Sequence, residues 1–190
     1  MQYPFKKSVK PTTLPTPVLL SFGSNLGNRH ETLNDAWRVL GQTPGIQTVR
    51  LSRFYETEPV GGPAGQPMYI NAAGIIETIL SPPLKLLETL QNIESDFGRV
   101  RTERWGARTL DIDILLYDDQ VVELPALTIP HPEMLLRQFV LVPACDIAGD
   151  WVHPLTGMTV REHLHFSGRD TSHRHKVVVF VPSPWGESQD

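Results

Sequence analysis

Hydrophobic and polar positions follow one another along this chain with two different periods, and their order predicts its secondary structure. The apolar run 17–23, which ends at Gly23, predicts a first strand, and a polar turn follows it. The next apolar residues are spaced as one face of an amphipathic helix requires, at i, i+3, i+4 and i+7: Leu33, Ala36, Trp37 and Leu40. Gly41 lies just past this stripe, so we expect it to cap the helix at its C-terminus.

Three further strands and a second helix are predicted downstream. Residues 46–59 are rich in β-branched and aromatic side chains and predict one strand, and residues 68–79 predict the next. Ser81 and the two prolines after it are typical of a helix start, and Gly98 is expected to end that helix. One face of this second helix should carry Leu84, Leu87, Leu90, Ile93 and Phe97. A fourth strand is predicted over residues 109–117.

The order of these elements, β-α-β-β-α-β, predicts an α+β fold of the ferredoxin-like type. Such a fold has an antiparallel sheet with two helices on one face, which leaves the other face free to carry a site. Residues 1–16 are expected to be a flexible tail and residues 17–163 the folded domain. A short helical region is expected after the two prolines at 130 and 132. Residues 164–190 would form a C-terminal extension, in which the run VVVFV could add an edge strand.

Composition and charge narrow the range of partners. The 190 residues are 40% hydrophobic and 20% charged, which allows a core to form, and the net charge of -4 gives no basic coat for nucleic acid. Cys145 is the only cysteine, which fits a reducing compartment. No run reaches the ~20 apolar residues of a membrane span, and the N-terminal residues do not resemble a signal peptide. We therefore expect a cytoplasmic monomer that binds small molecules and neither membrane nor nucleic acid.

Asp111 and Asp113 stand in the most apolar of the predicted strands. Alternate side chains of a strand point to opposite faces, so both carboxylates should share the open face, with their Cα atoms about 6–7 Å apart. The opposite, core-facing side should carry Leu110, Ile112, Ile114 and Leu116. Neighbouring carboxylates repel each other unless a cation lies between them, and ligands that are all oxygen favour Mg²⁺.

Four arginines lie within ten residues just ahead of these aspartates: Arg99, Arg101, Arg104 and Arg108. Guanidinium groups bind phosphate oxygens bidentately and stay charged. Arginines and aspartates together predict a Mg²⁺-dependent enzyme that holds a polyphosphate between cations and guanidiniums. Two alternatives stay open on the residues alone. The aspartates could be solvent-facing members of a surface salt-bridge cluster, and polymerase palms and cyclases would satisfy the same description.

The stretch RWGARTLDIDIL at 104–115 resembles the signature of the 6-hydroxymethyl-7,8-dihydropterin pyrophosphokinase family of folate biosynthesis. Four other segments resemble the family in the same order, so that the resemblance covers residues 17–163: SFGSNLGNR, SRFYETEPVGGPAGQPMYINAA, LTIPHPEMLLRQFVLVP and DWVHPLTGMTV. The resemblance implies a transferase that moves the terminal pyrophosphoryl unit of ATP to the hydroxymethyl group of the pterin and releases AMP.

The resemblance also implies a role for particular residues. Asp111 and Asp113 would hold two Mg²⁺ ions that bridge the ATP phosphates, and Arg99 and Arg108 would be the catalytic arginines. The pterin would be bound by Thr57, Val60, Tyr69, Asn71, Trp105 and Phe139. ATP would be bound by Gln91, Glu94, Arg101, Ile114, Thr128, His131 and Arg137. Ordinary core packing is the alternative role for Tyr69 and Phe139.

Two loops are expected to move during the reaction, 60–67 and 98–105, because both contain glycine and polar residues. Arg99 and Arg108 are predicted to reach the phosphates only when these loops have closed. Two other classes of function remain as alternatives. One is a different Mg²⁺-dependent nucleotidyl or phosphotransferase, and the other is a non-catalytic ligand-binding module on the same type of sheet.

Overall fold

The secondary structure was taken from a computed structural model, which describes residues 14–99, 106–167 and 179–181. The elements, in chain order, are β1 (Thr16–Ser24), α1 (Arg29–Gln42), β2 (Ile46–Leu51), β3 (Phe54–Thr57), β4 (Tyr69–Thr78), α2 (Pro83–Asp96), β5 (Asp111–Tyr117), β6 (Val122–Leu124), β7 (Leu127–Ile129), a 3₁₀ turn (Met134–Leu136), α3 (Gln138–Ala148), α4 (Val160–Ser167) and β8 (Val179–Val181).

The main sheet is antiparallel and has the order β5-β1-β4-β3-β8, with β2 also paired to β4. The α+β prediction is therefore confirmed. The strand predicted over 46–59 is divided, because β2 and β3 pair with different parts of β4. Between them the buried Ser52 bonds to Ala73: its hydroxyl accepts the Ala73 N–H at 2.8 Å, and its own N–H donates to the Ala73 carbonyl at 2.8 Å.

Helices α1 and α2 cover one face of the sheet and form the larger hydrophobic core. The predicted stripe of α1 packs there, and α2 contributes Leu86, which the sequence pattern missed, together with Leu90 and Ile93. Leu84, Leu87 and Phe97 of the predicted α2 stripe are only partly buried against this core.

The prediction that Gly41 caps α1 is wrong, because the helix continues through Gly41 to Gln42. Thr43 is the cap instead. Its N–H donates to the Leu40 carbonyl at 3.0 Å, and its hydroxyl donates to the Val39 carbonyl at 2.9 Å. Gly98 does follow the end of α2, with a φ of 76° that favours glycine.

The opposite face of the sheet is not left open, as the prediction required, since α3 covers part of it. A second core forms there between the sheet and the region 134–164: Leu19, Ala73, Ile75, Leu115, Leu116, Met134, Val140, Leu141, Ala144, Ala148 and Val160. Leu116 thus lies on the face opposite to the one predicted. The pairing of β1 with β5 shifts between Leu19 and Leu20, so that Leu115 is an extra residue and the alternation of side chains is reversed beyond it.

Further elements follow the predicted β-α-β-β-α-β pattern. The hairpin of β6 and β7 follows the polar turn after Tyr117 and was not predicted. Helix α4 was not predicted either, and it runs across the expected boundary at residue 163. Strand β8, by contrast, pairs with β3 at the edge where VVVFV was expected to add a strand. Within the described residues, no helix has the length and apolarity needed to cross a membrane.

Candidate active site

A pocket opens on the part of the sheet face that α3 leaves uncovered. Its walls come from β1, β4, the start of β5, the end of β3 with the segment after it, and the start of α3. The lining residues are Ser21, Gly23, Thr57, Glu58, Pro59, Val60, Gly61, Gln66, Tyr69, Asn71, Arg108, Asp111, Asp113, Arg137, Phe139 and Val140. The strand register explains the grouping. Gly23 of β1 pairs with Asn71 on one side and Asp111 on the other, and Ser21 pairs with Asp113.

Gly23 leaves the floor of this pocket open. A Cβ atom built there would lie 3.5 Å from the Asn71 Oδ1 and 3.8 Å from the Tyr69 ring, so any side chain would fill the space between them. The sequence interpretation took Gly23 only as the end of a strand. The signal that marks it as a site residue is its cross-strand position between Asn71 and Asp111, which requires the register.

Asp111 is the centre of an ion-pair cluster. The Arg99 Nη2 lies 2.7 Å from the Asp111 Oδ1, and the Arg108 guanidinium contacts the Asp111 Oδ2. Arg99 also pairs with Glu94, a buried carboxylate of α2 that accepts the Ile112 N–H at 2.7 Å. Burial raises the pKa of Glu94, although its hydrogen bond to Ile112 and the Arg99 charge oppose that shift. Both predicted catalytic arginines therefore converge on one predicted metal ligand.

Asp113 has a different environment from Asp111. No hydrogen bond or ion pair reaches its carboxylate from any residue in the described part of the chain. Burial raises its pKa to about 7, and the negative charges of Asp111 and Glu94 add to the shift. A half-buried carboxylate without a partner is costly to ionise, so the site favours a bound cation or a proton there.

The donor set fits Mg²⁺ better than a transition metal. Across residues 14–99, 106–167 and 179–181, no group of three or more His, Cys, Asp or Glu side chains could hold a metal. Asp111 and Asp113 supply two carboxylates side by side. Mg²⁺ commonly binds through one or two carboxylates and completes its shell with waters and substrate phosphates.

The opposite wall of the pocket suits a flat polar ring. The Asn71 amide donates to the Thr57 hydroxyl at 2.7 Å, and both residues are buried. The Tyr69 hydroxyl donates to the Gly106 carbonyl at 3.4 Å, and burial raises its pKa. Phe139 lines the pocket and also packs against the second core, while the Arg137 guanidinium lies 5.6 Å from the centre of its ring.

The residues predicted to bind ATP are brought together only in part. Arg137 lines the pocket and pairs with Glu133. His131 donates its backbone N–H to the Leu115 carbonyl at 2.9 Å, and burial together with the Arg137 charge lowers its pKa to about 4. The Ile114 side chain is buried in the core under α1 and α2, so only its backbone could face a ligand. Three of the remaining residues do not line the pocket: Gln91 is half-buried on α2, Thr128 is exposed on β7, and Glu94 pairs with Arg99. Arg101 lies outside the described residues, and so does Trp105, which was predicted to bind the pterin.

Asn25 connects the two sides of the site, and the sequence interpretation assigned it no role. It is buried just after β1, where its Oδ1 accepts the Arg108 N–H at 2.8 Å and its own N–H donates to the Arg108 carbonyl at 3.1 Å. Its Nδ2 donates to the Gln66 side chain and to the Pro67 carbonyl, both at 3.3 Å. One amide thus joins the segment before β4 to the base of β5.

Comparison with known proteins agrees with this geometry. The family model described as 7,8-dihydro-6-hydroxymethylpterin-pyrophosphokinase (HPPK) matches residues 19–149. The chain belongs to this family. The 2-amino-4-hydroxy-6-hydroxymethyldihydropteridine pyrophosphokinase of Haemophilus influenzae is 49% identical over 135 residues, which cover 71% of this chain and 83% of that protein. The enzyme of the same name from Synechocystis is 44% identical over 155 residues, covering 80% of this chain and 78% of the relative.

A solved structure shows the same fold at low sequence identity. The crystal structure of Plasmodium falciparum HPPK-DHPS A437G/K540E with pterin and p-hydroxybenzoate matches with a TM-score of 0.64 and 13% identity. The match covers 80% of this chain and 43% of that longer chain. Every residue predicted to bind substrate or metal lies within the HPPK match at 19–149, whereas α4 and β8 lie beyond it.

Proposed function

We propose that this protein transfers the pyrophosphoryl group of ATP to the hydroxymethyl group of 6-hydroxymethyl-7,8-dihydropterin, giving AMP and the pterin diphosphate, in folate biosynthesis. The protein is accordingly a pyrophosphokinase, and ATP is its co-substrate. The observation that carries the proposal is the pocket of an HPPK-family chain in which Asp111, Asp113 and Arg108 face the polar and aromatic wall of Asn71 and Tyr69.

Asp111 and Asp113 are the residues proposed to hold Mg²⁺, and two ions are proposed from the family resemblance. The Asp113 carboxylate supports this role, because it is half-buried and has no partner among the described residues. When bound, Mg²⁺ would neutralise phosphate charge and polarise phosphoryl oxygens. Asp111 would have to exchange at least part of its contact with Arg99 and Arg108 for the metal.

Arg99 and Arg108 are proposed to bind the phosphates once Asp111 is engaged by metal. The Arg108 side chain already lines the pocket, and the Arg99 guanidinium contacts Asp111, which also lines it, so the exchange needs side-chain movement rather than a new arrangement of strands. In the reaction, the pterin hydroxyl oxygen bonds to the β-phosphorus of ATP, and the bond from that phosphorus to the α–β bridging oxygen breaks. Guanidiniums that contact the phosphate oxygens stabilise the charge that shifts onto the leaving AMP. Arg101 and Trp105 are proposed to act in the same closed state.

Asn71, Tyr69 and Phe139 are proposed to hold the pterin. Thr57 accepts one N–H of the Asn71 amide, which holds that amide in place and leaves its other N–H and its oxygen to pair with the ring's polar edge. Tyr69 and Phe139 both line the pocket, where aromatic faces would stack on a flat ring. Val60 and Thr57 are proposed to add hydrogen bonds from their backbone.

The proposal also includes the fold class, the location, the oligomeric state, the domain bounds and the ATP contacts. The order β5-β1-β4-β3, with α1 and α2 on one face, supports the ferredoxin-like class. Cytoplasmic location, a monomeric state and the division at residues 16 and 163 remain predictions. The ATP contacts proposed from the family resemblance are Gln91, Glu94, Ile114, Thr128, His131 and Arg137.

The decisive assay mixes the protein with ATP, Mg²⁺ and 6-hydroxymethyl-7,8-dihydropterin and separates the nucleotide products. AMP should form only when the pterin is present. A nucleotidyl transferase would release pyrophosphate and retain the AMP moiety on its acceptor. AMP no higher than in the enzyme-free mixture would contradict the proposed function.

A further inference from the structure

Strand β3 is a short strand that carries one wall of the pocket. It spans only Phe54–Thr57, and it pairs with β4 through three residues, Tyr55, Glu56 and Thr57. The chain leaves β3 at Thr57 and at once forms the pocket wall of residues 57–61. The position of Thr57, which accepts the hydrogen bond of the Asn71 amide, therefore depends on how firmly this strand is held.

Strand β8 pairs with the edge of β3 that faces away from β4. Val181, Phe180 and Val179 pair with Phe54, Tyr55 and Glu56 in an antiparallel register. Tyr55 consequently has Asn71 as its partner on one side and a C-terminal residue on the other. Without β8, the outer ladder of β3 would be an unpaired edge immediately before the pocket wall.

We infer that the C-terminal strand β8 is a positioning element for the pterin site, acting through β3 and Thr57. This inference rests on the proposed function, but it concerns a segment outside the HPPK match at 19–149. Strand β8 is joined to the pocket wall by its backbone pairing with β3, so the inferred effect is one of alignment of that wall.

The fold should survive the loss of β8, because β3 has other attachments. The Tyr55 hydroxyl donates to the Asp146 Oδ2 of α3 at 2.6 Å, and Arg53 pairs with the same carboxylate at 2.7 Å. Glu56 pairs with Arg29 of α1 at 2.7 Å. These contacts hold the start and middle of β3, whereas among the described residues Thr57 at its end is held by the ladder with β4 and the bond to Asn71.

The sheet order predicts which ligand would be affected. Strand β8 lies at one edge and β5, which carries Asp111 and Asp113, at the other. Loss of β8 should therefore weaken pterin binding while nucleotide binding is retained. A loss of general stability would lower the melting temperature without this selectivity.

The test compares three chains: the full-length protein, one that ends at Val181 and one that ends at Ser167. The dissociation constant of 6-hydroxymethylpterin is measured with a saturating, non-hydrolysable ATP analogue and Mg²⁺, and the constant of the analogue is measured separately. The chain that ends at Ser167 should bind the pterin roughly five- to tenfold more weakly, because the ordering of the pocket wall is then lost on binding. Its affinity for the analogue should change less than about twofold, and the chain that ends at Val181 should match the full-length protein.

Two point variants of the full-length chain test the strand itself. Successive N–H groups of a strand point to opposite sides, so either Val179→Pro or Phe180→Pro must remove a donor that faces β3, whereas the other removes one that faces away. One of the two variants should bind the pterin as weakly as the chain that ends at Ser167. Glu187→Pro, outside the strand, should bind it as tightly as the full-length protein. Amide hydrogen exchange at Phe54–Glu56 should be faster in the variants that bind the pterin weakly.

The possible failures are distinguishable. If the full-length chain binds no pterin and forms no AMP, the proposed function is wrong and the inference fails with it. If the full-length chain binds the pterin and the chain ending at Ser167 binds it equally well, the inference alone is wrong. Equal weakening of pterin and nucleotide would also overturn it. If the shortened chain does not fold, the proline variants decide by the same two dissociation constants.

Discussion

On the face covered by α1 and α2, β1 presents Val18, Leu20 and Phe22, and all three side chains belong to one core. On the opposite face the same strand changes along its length. Leu19 packs in the second core, while Ser21 and Gly23 lie in the pocket. From Val18 to Phe22 the face covered by α1 and α2 is therefore apolar, and the other face is apolar only until it reaches the site.

Strand β5 repeats this division with charged residues. Ile112 and Ile114 face the core, while Asp111 and Asp113 face the pocket. A half-buried carboxylate such as Asp113, whose pKa is raised by desolvation, opposes folding unless a cation or a proton accompanies it. The comparison suggests that the face covered by α1 and α2 stabilises the fold. The pocket face carries carboxylates that reduce the stability of the folded chain and are available to bind a ligand. Four substitutions or conditions separate the two contributions.

The largest effect is expected on the pocket face, from Asp113→Ala. If Asp113 holds Mg²⁺, its loss should lower kcat by at least about a thousandfold, because metal and phosphate charge would no longer be matched. The assay is AMP release at saturating ATP and pterin. Asp119→Ala, in the exposed turn that follows β5, is the matched control and should retain full activity.

The unfolding transition of the same variant sharpens the comparison. Asp113→Ala should fold at least as stably as the original chain in metal-free buffer, because it removes a half-buried carboxylate that has no partner among the described residues. Activity close to that of the unmodified protein would refute the metal-ligand role.

On the face covered by α1 and α2, Leu90→Ala should lower stability and leave substrate binding unchanged. Leu90 is fully buried in the core between α2 and the sheet, so truncation should lower the free energy of unfolding by about 3 kcal/mol. The KM values for ATP and pterin should stay nearly unchanged at a temperature where the variant is folded. Leu124→Ala, at a half-exposed leucine of β6, should cost less than about 1 kcal/mol in a parallel urea titration. A change in KM without a change in stability would break the proposed division.

Sequence periodicity predicted this division well where neighbours along the chain decide it. The alternation in β5 placed Asp111 and Asp113 together, and the stripe of α1 was confirmed. The prediction failed where a distant contact decides. Leu116 changes face because of a bulge opposite Leu19, and Gly41 continues α1 because Thr43 supplies the cap.

The supporting parts of the site were the least accessible to sequence reasoning. Asn25 and Arg108 are 83 residues apart, and no spacing rule predicts that an amide after β1 bonds to the base of β5. The family resemblance named the residues expected to touch substrate. It assigned no role to those that hold them, among them Gly23 between its two cross-strand neighbours.

The third effect is the dependence of the free energy of unfolding on pH. It tests the pocket face while the core remains unchanged. The pKa of Asp113 is raised in the folded protein to about 7 from its ordinary 3.8. The folded state therefore favours the protonated group, so its contribution to stability is complete below about pH 4 and is lost as pH rises to about 7. A pKa difference of this size corresponds to about 4 kcal/mol, and solvent screening of this half-buried carboxylate reduces that value. In metal-free buffer the unfolding free energy should therefore fall across that window by about 2 kcal/mol more in the original chain than in Asp113→Asn.

Urea titrations of both proteins at several pH values, with and without Mg²⁺, measure this difference. Mg²⁺ should restore stability to the original chain above pH 7 and do little for Asp113→Asn. Parallel pH curves for the two proteins would mean that the Asp113 carboxylate ionises normally in the folded state.

The smallest effect is expected at Asn25, which combines features of both faces. It is buried, as a core residue is, and it accepts a hydrogen bond from the site residue Arg108. Asn25→Ala leaves the Arg108 N–H without its acceptor and releases Gln66 and Pro67, so the unfolding free energy should fall by about 1.5 kcal/mol. Unlike Leu90→Ala, it should also lower kcat/KM, by roughly fivefold, because Arg108 is no longer tied to the segment before β4. Asn92→Ala, on the exposed side of α2, removes the same amide where no such bonds exist and should change neither quantity. Lost stability with unchanged kcat/KM would place Asn25 with the core, whereas losses in both would show that the pocket's two walls depend on one buried amide.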